Sequence, residues 1–368
     1  MFIEKIEKEI LFKPLQAVIG IVERKQSLPI LSNVLIEKNG SDLSFVATDL
    51  EIQITTRFSD PAQNKTIAEI TVSAKKLQDI LRVIPEESKI TLDIQDGKLQ
   101  VKANKSRFSL QTLPAQDFPK MAEQYEQTGS LQLGQGQLKK LFTAVQYAMA
   151  QQDIRYYLNG VLLVIEGNSL KLIATDGHRL AYTSTKLDQE YTKQEIILPR
   201  KTVNELIKLM SDTDEKITLD MWKNQIKISF SNISLLSKII EGKFPDYDRV
   251  IPKYSNHLTL DRLAILQGLQ RAAILSNEKF RGVRFVLTEK NLRIISSNSE
   301  QEEAQEDMET DYHGEALDIG FNVNYLLEGL NNSTQKMTTF SFGDPNSSIL
   351  ITEPGNEEFK YVVMPMRI

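Results

Sequence analysis

The chain has no cysteine, one tryptophan and three histidines in 368 residues. Without thiols there is no disulfide, no thiolate metal site and no cysteine nucleophile, which fits a reducing compartment. His257 sits in a polar linker and His313 beside a glycine, and neither has a partner at metal-ligand spacing. No apolar run approaches the roughly 18 residues of a membrane span. The N-terminal MFIEKIEKEILFKPL interleaves charges with hydrophobics and does not read as a signal peptide, so a cytoplasmic location is expected. A formal net charge of -5 argues against a uniformly basic nucleic-acid binder but leaves open where the charges lie. No P-loop or nucleophile elbow is present. Gly134-Gln135-Gly136 hints at a phosphate loop, yet Lys139 stands where the third glycine is expected.

What is present is a repeat. LSFVATD at 43–49, LKLIATD at 170–176 and LRIISSN at 292–298 recur at offsets of about 127 and 122. Asn33-Val34, Gly160-Val161 and Gly282-Val283 open matching apolar runs. KITLD at 89–93 returns at 216–220 and more weakly as KMTTF at 336–340, and Phe118-Pro119 returns as Phe244-Pro245. Three copies of one domain are expected, 1–128, 129–252 and 253–368. Within each copy, helical spacing appears twice, as in Leu11, Leu15, Val18, Ile19 and Val22, then Leu77, Ile80, Leu81 and Ile84. The matching windows are 137–151 with 199–210, and 260–273 with 322–331. Alternating runs such as SLKLIATD and KNQIKISF, divided by turns such as EGN and QDG, favour antiparallel hairpins. The class is α+β, with two helices per domain packed on antiparallel sheets.

The helical windows carry a charge bias. Windows 8–25, 73–84, 137–151 and 199–210 each hold +2, 260–273 holds +1 and 322–331 holds -1, so a chain of -5 keeps -13 elsewhere. A basic helical layer on an acidic body offers cations to phosphates while the rest of the surface repels them. The residues are Arg24, Lys25, Lys75, Lys76, Arg82, Lys139, Lys140, Arg200, Lys201, Lys208 and Arg271, with Gln152, Tyr156 and Tyr157. No recognition helix, zinc-finger spacing or stacking signature accompanies them, so binding without sequence preference is expected.

LPILSNVLIE, QDIRYYLNG, ATDGHRLA, SKIIEGKFPDY, RAAILSNEKFRGVR, QEEAQE and YVVMPMRI together resemble the bacterial DNA polymerase III beta subunit family, the replicative sliding clamps, over essentially the whole chain. That resemblance implies a head-to-tail homodimer closing a six-domain ring around duplex DNA. It also implies a clamp loader that opens the ring. The DNA polymerase III catalytic subunit, other polymerases and mismatch-repair or ligase-type clients are expected to dock by short linear motifs. No cofactor and no membrane partner is implied.

ATDGHRLAYT, at 174–183, gathers Asp176, His178 and Arg179 at active-site density. Yet the matched copies have Glu51 for His178 and Asn298 for Asp176, so the sister strands lack the chemistry and no catalytic or metal-ligating residue is expected. By resemblance this strand walls a peptide pocket between the second and third domains. Leu158, Thr175, Gly177, His178, Arg179, Leu180, Pro245, Arg249 and Val250 fall on one side. Val362, Met364, Pro365, Met366 and Arg367 close the other, with Phe280, Asn322, Tyr325 and Ser348 at the rim. Methionines suit varied ligands, apolar groups a Leu or Phe anchor, and Arg179 and Arg249 backbone or acidic groups. Val362 reads equally well as core.

Ring closure needs two unlike surfaces. Residues 300–311 hold seven acids, and LQVKANKSRFSLQTL supplies cations around apolar groups. The resemblance puts Phe108, Leu110, Ile274 and Leu275 at the centre of the dimer contact. Lys75, Lys105 and Arg107 then face Glu300, Glu302, Glu303 and Glu306.

Overall fold

The computed structural model describes residues 2–23, 28–60, 66–124 and 126–368. Six α-helices occur among them: α1 (Lys8–Ile19), α2 (Ala74–Val83), α3 (Gln135–Val145), α4 (Arg200–Leu209), α5 (Arg262–Ala273) and α6 (Val323–Asn332). Each coincides with one of the six windows with helical spacing, although α3 begins two residues before its window and α6 ends one residue after its own. Two windows are too long. The first helix stops at Ile19, ahead of a turn at Gly20, and the third stops at Val145 and continues as a 3₁₀ turn, Gln146–Ala148. In α1 the buried stripe is Leu11, Leu15 and Val18, and in α2 it is Leu77 and Leu81. No helix of the described residues is long and apolar enough to cross a membrane.

All pairings between the named strands are antiparallel, as the hairpin turns imply. Strand Gln225–Phe230 buries Ile226, Ile228 and Phe230 and exposes the alternate face more, the period of a half-covered sheet. Val161–Ile165, a continuous apolar run, is buried on both faces.

The chain forms two compact units that do not follow the repeats. One comprises Met1–Leu138 and Lys208–Ile239 and is built on a twelve-stranded sheet. In it Ile52–Ser59 of the first copy pairs with Ile233–Lys238 of the second, Ile54 opposite Leu235. The other comprises Lys139–Ile207 and Ile240–Ile368. Its six-stranded sheet joins Arg179–Pro199 of the second copy to Asn356–Val363 of the third, Ala181 opposite Tyr361. A four-stranded sheet completes this unit in the order Glu303–Glu309, Asn291–Ser297, Gly282–Thr288, Leu317–Asn322. The middle copy thus gives one sheet to each unit, because an edge strand gains a full ladder of hydrogen bonds when a neighbouring copy extends it.

The helix pairs share one device. The first residue of one helix carries a cation that donates to backbone carbonyls at the carboxyl end of its sister, where orphan carbonyls and the helix dipole favour positive charge. Lys8 Nζ donates to the carbonyls of Arg82 in the last turn of α2 and of Ile84 at its C-cap. Arg200 Nη1 donates to Met149 O at 2.9 Å, just past α3, and Arg262 Nη1 donates to Leu330 O of α6 at 3.0 Å. The basic excess of the helical windows is therefore partly internal capping.

Candidate functional site

The cluster at 174–183 is a hairpin turn whose reactive groups are occupied by the backbone. Asp176 Oδ1 accepts the amides of His178 at 2.9 Å and Arg179 at 3.1 Å, and its Oδ2 accepts Arg179 Nε at 3.0 Å. Thr175 Oγ1 donates to Arg179 O at 2.6 Å and accepts Gly177 N at 3.1 Å. The first copy builds the same turn. Asp49 Oδ1 accepts the amides of Glu51 and Ile52 at 2.9 and 2.8 Å, and Thr48 Oγ1 donates to Ile52 O at 2.9 Å. In the third, Asn298 Oδ1 accepts the amides of Glu300 and Glu302 at 2.9 and 3.1 Å. The repeated Asp or Asn closes a turn in every copy, which accounts for its recurrence without chemistry. His178 is exposed and contributes its backbone. Among the described residues no cluster of three His, Asp or Glu side chains is placed to hold a metal.

Gly177 sits at φ +90°, and a Cβ there would lie 3.0 Å from both terminal nitrogens of Arg155. Arg155, which sequence reasoning passed over, forks onto Asp153 at 3.0 and 2.9 Å and reaches Asp176 O at 3.2 Å. Its hydrogen bonds hold the Asp153 carboxyl down at about 2. The Asp-x-Arg spacing within QDIRYYLNG was the available signal.

Arg179 was expected to meet a ligand, and the structure turns it inward. Its side chain is 9% exposed. Beyond the bond to Asp176, Nη2 donates to Tyr147 O at 2.7 Å, Nη1 donates to Glu328 of α6, and the guanidinium lies 4.5 Å from the Tyr325 ring centre. Burial opposes its charge, but the Glu328 and Asp176 carboxylates outweigh burial and raise its pKa above the ordinary arginine range. Burial also pushes the Tyr147 and Tyr361 hydroxyls well up, so both stay neutral. Nothing in sequence spacing announces Glu328 or Tyr361, which reach Arg179 only through the fold. Gly329 admits the Tyr361 ring, since a Cβ there would lie 2.5 Å from Cε1.

Beside this network lies an apolar floor. Leu158, Leu162, Ile173, Leu180, Phe244 and Val362 are buried in one cluster, with Tyr157, Tyr247 and Ile251 packed against it. Val362, 1% exposed, is core, the second of its two readings. Residues that follow the cluster in the chain are exposed: Pro245 and Arg249 are exposed, Val250 is 45% exposed and Met364 is 45% exposed. Strand pairing stops at Val363. The tail stays anchored by Met364 N donating to His178 O at 2.9 Å and Met366 N to Gly320 O at 2.8 Å. Pro365 and Met366 are half-buried and Arg367 is exposed. At the rim Phe280 is 58% exposed, Asn322 caps α6 by accepting Asn324 N, and Ser348 O accepts the Tyr254 hydroxyl.

The cations expected at phosphate differ in their commitments. Arg24 and Lys25 lie outside the described residues. Lys75, Lys76 and Arg82 are exposed along α2, Arg82 3.5 Å from Asp79. Lys140, Lys208 and Gln152 are exposed, Tyr156 is 58% exposed, and Lys139, Lys201 and Tyr157 are half-buried. Arg200 is held by its carbonyls. Arg271 forks onto Glu306 at 2.8 and 2.7 Å, so two residues expected on different surfaces face each other.

Two of the strand edges carry the residues expected at the dimer contact. Ser106–Leu113 pairs on one side with Lys98–Ala103, but on the other only through Thr112 and Leu113, leaving an edge flanked by exposed Lys105 and Arg107. Phe108 is half-buried there, whereas Leu110 is 8% exposed and packs within its own unit. In the other unit Glu303–Glu309 ends its sheet, close in sequence to exposed Glu300 and Glu302. Ile274, 77% exposed, and half-buried Leu275 follow α5. Hydrogen bonds from Arg293, Gln305 and Asn291 hold the Asp307 carboxyl down at about 2.

Comparison with known proteins covers the chain end to end. Residues 1–122 match the N-terminal domain of the DNA polymerase III beta subunit, 132–246 its central domain and 248–367 its C-terminal domain. The chain is 45% identical over 370 residues to the beta sliding clamp of Pseudomonas putida, covering 99% of each. It is 40% identical over 364 residues to that of Escherichia coli strain K12, again covering 99% of each. Among solved structures, DNA polymerase III subunit beta of Pseudomonas aeruginosa superposes with TM-score 0.96 at 42% identity over 100% of both chains. A sliding clamp from the same organism bound to griselimycin gives 0.95 at 42% identity, covering 99% of this chain and 98% of that one.

Proposed function

The chain belongs to the DNA polymerase III beta subunit family, and from that premise we propose how this sliding clamp, which performs no chemistry of its own, uses the surfaces described above. Two chains associate head to tail. The Ser106–Leu113 edge of one, with Lys105, Arg107 and Phe108, meets the Glu303–Glu309 edge of the other, with Glu300, Glu302, Ile274 and Leu275. Unlike charges on the two edges favour this pairing and disfavour either edge pairing with itself. Three domains per chain then make a six-domain ring that encloses duplex DNA. Lys76, Arg82, Lys139, Lys140, Lys201, Lys208, Gln152, Tyr156, Tyr157, Arg24 and Lys25 offer phosphate contacts that position the duplex without reading its sequence. Arg200 and Arg271 serve chiefly as an internal cap and an ion-pair partner.

The floor of Leu158, Leu180 and Val362, open between Val250 and Met364, receives an apolar side chain of a linear peptide. Phe280, Asn322, Tyr325 and Ser348 guide the remainder. The DNA polymerase III catalytic subunit, the clamp loader, other polymerases and mismatch-repair or ligase-type clients compete for this pocket. Tethering to a ring on DNA raises each client's effective concentration at the primer end, which is the physical content of processivity.

The observation that carries this reading is full-length agreement with the family in sequence and fold, joined to a buried apolar cluster bordered by exposed Val250 and Met364. Light scattering over a wide dilution range tests the ring. A mass near twice the 41.9 kDa chain is expected, with retention on circular DNA and loss from linear DNA. A monomer at high concentration would remove encirclement.

A further inference from the structure

The parts of the docking pocket occur twice in this chain. At an offset of about 127, Ile30, Leu31, Leu35, Val46 and Thr48 correspond to Tyr157, Leu158, Leu162, Ile173 and Thr175, and Phe118 corresponds to Phe244. Leu35, Val46 and Phe118 form a buried cluster with Ile30 packed against it, the same parts that make the floor described above. The flanking seam matches as well. Lys238 N donates to Glu51 O at 2.9 Å where Met364 N donates to His178 O at 2.9 Å.

Two differences separate the copies. The position of Leu180 in the floor is taken in the first copy by Gln53, and Gln53 Oε1 accepts the amide of Met121 at 2.8 Å. The segment after Phe118 is fastened to the strands on either side: Lys120 pairs with Glu37, Gln225 Nε2 donates to Ala122 O at 3.1 Å, and Lys227 pairs with Glu123 at 2.7 Å. Among the described residues, the polar bonds of the equivalent segment 245–251 are internal to it: Val250 N to Tyr247 O at 3.1 Å and Arg249 to Asp246 at 2.8 Å.

We propose that the junction of the first and second repeats is a second copy of the peptide pocket, closed in cis by the linker Phe118–Glu123 with Gln53 as its latch. The inference rests on the reading of the open junction as a docking pocket. A tethered segment is present at an effective concentration that a free peptide does not match, so a linker held at several points excludes a client even though each bond is weak. The ligand class of the closed site is that of the open one, a linear peptide with an apolar anchor. Closing one of two sites per chain prevents a single chain from engaging two clients.

The test counts peptides by calorimetry, using a synthetic hexapeptide with one Leu and one Phe on the full-length chain. The wild type is expected to take one peptide per chain, and deletion of 364–368 to weaken binding by roughly a hundredfold, so that no heat is registered at the concentrations that saturate the wild type. Adding Gln53→Leu and Lys120→Ala to the deletion should restore one peptide per chain, at the first junction. No peptide on the wild type would sink the docking reading and this inference with it. One on the wild type and none regained by the variant would overturn this inference alone. Should the variant not fold, amide exchange of the wild type decides: Met121 should exchange at least roughly tenfold more slowly than Asp248 and Arg249. Equal rates would overturn the latch.

Discussion

Removing the Arg179 side chain should destabilise the unit that contains it more than any surface change does. The guanidinium holds Asp176 at 3.0 Å and Tyr147 O at 2.7 Å with 9% of the side chain exposed, and it pairs with Glu328, which is 47% exposed. Arg179→Ala forfeits two charge-assisted bonds worth about 1.5 kcal/mol each, the low end for bonds that involve a charged group. The contact with Tyr325 adds about 1 kcal/mol. Glu328 regains water, so its share is held below about 0.5 kcal/mol. The sum is about 4 kcal/mol, no more than breaking a buried pair costs, because Asp176 keeps its two backbone amides. For a unit of about 200 residues each kcal/mol shifts the midpoint by about 2–4 °C, so calorimetry should record a fall of roughly 10 °C. Arg179→Lys should recover less than half of it, since an ammonium cannot fork to two acceptors while lying flat on a ring. A fall of under about 2 °C in Arg179→Ala would refute the idea that this residue fastens Tyr147 and Asp176 to α6.

Gly177→Ala should cost about 1–3 kcal/mol in urea unfolding, from φ +90° and the Arg155 contact together, whereas Gly167→Ala, with open space around it, should cost about 1 kcal/mol. Equal losses would remove the Arg155 contribution. The depressed Asp307 carboxyl stabilises the folded state fully above its ordinary value of 3.8, and that stabilisation is lost as pH falls towards about 2. Asp307→Asn should therefore flatten the dependence of the urea midpoint on pH between those values, and an unchanged slope would show that its hydrogen bonds do not persist in solution. Deleting Met364 to Ile368 should weaken binding of the hexapeptide by roughly a hundredfold while leaving the light-scattering mass unchanged. Unchanged affinity would take Met364, Pro365 and Met366 out of the pocket.

The amino-acid sequence by itself determined the repeat, the pairing of helices within each copy and the antiparallel class, because these rest on period and spacing that survive without knowing what touches what. Leu77 and Leu81 read as a helical stripe and are one; Ile226, Ile228 and Phe230 read as an alternating strand and are one. The excess of positive charge on the helical windows was legible too, but not its use, since a cation on a phosphate-facing surface and a cation capping a sister helix look alike in one dimension. Arg200 and Arg262 are caps only because the fold brings a carboxyl-terminal turn to each. Gly134-Gln135-Gly136 resembled a phosphate loop until packing explained it: Gly136 N donates to Thr213 O at 2.8 Å, and a Cβ there would meet that backbone at 3.2 Å. Tertiary structure alone decided that Arg179 faces Glu328, 149 positions away, and that Gln53 grips Met121. Both are long-range contacts made by side chains whose local sequence carries no mark of their partner.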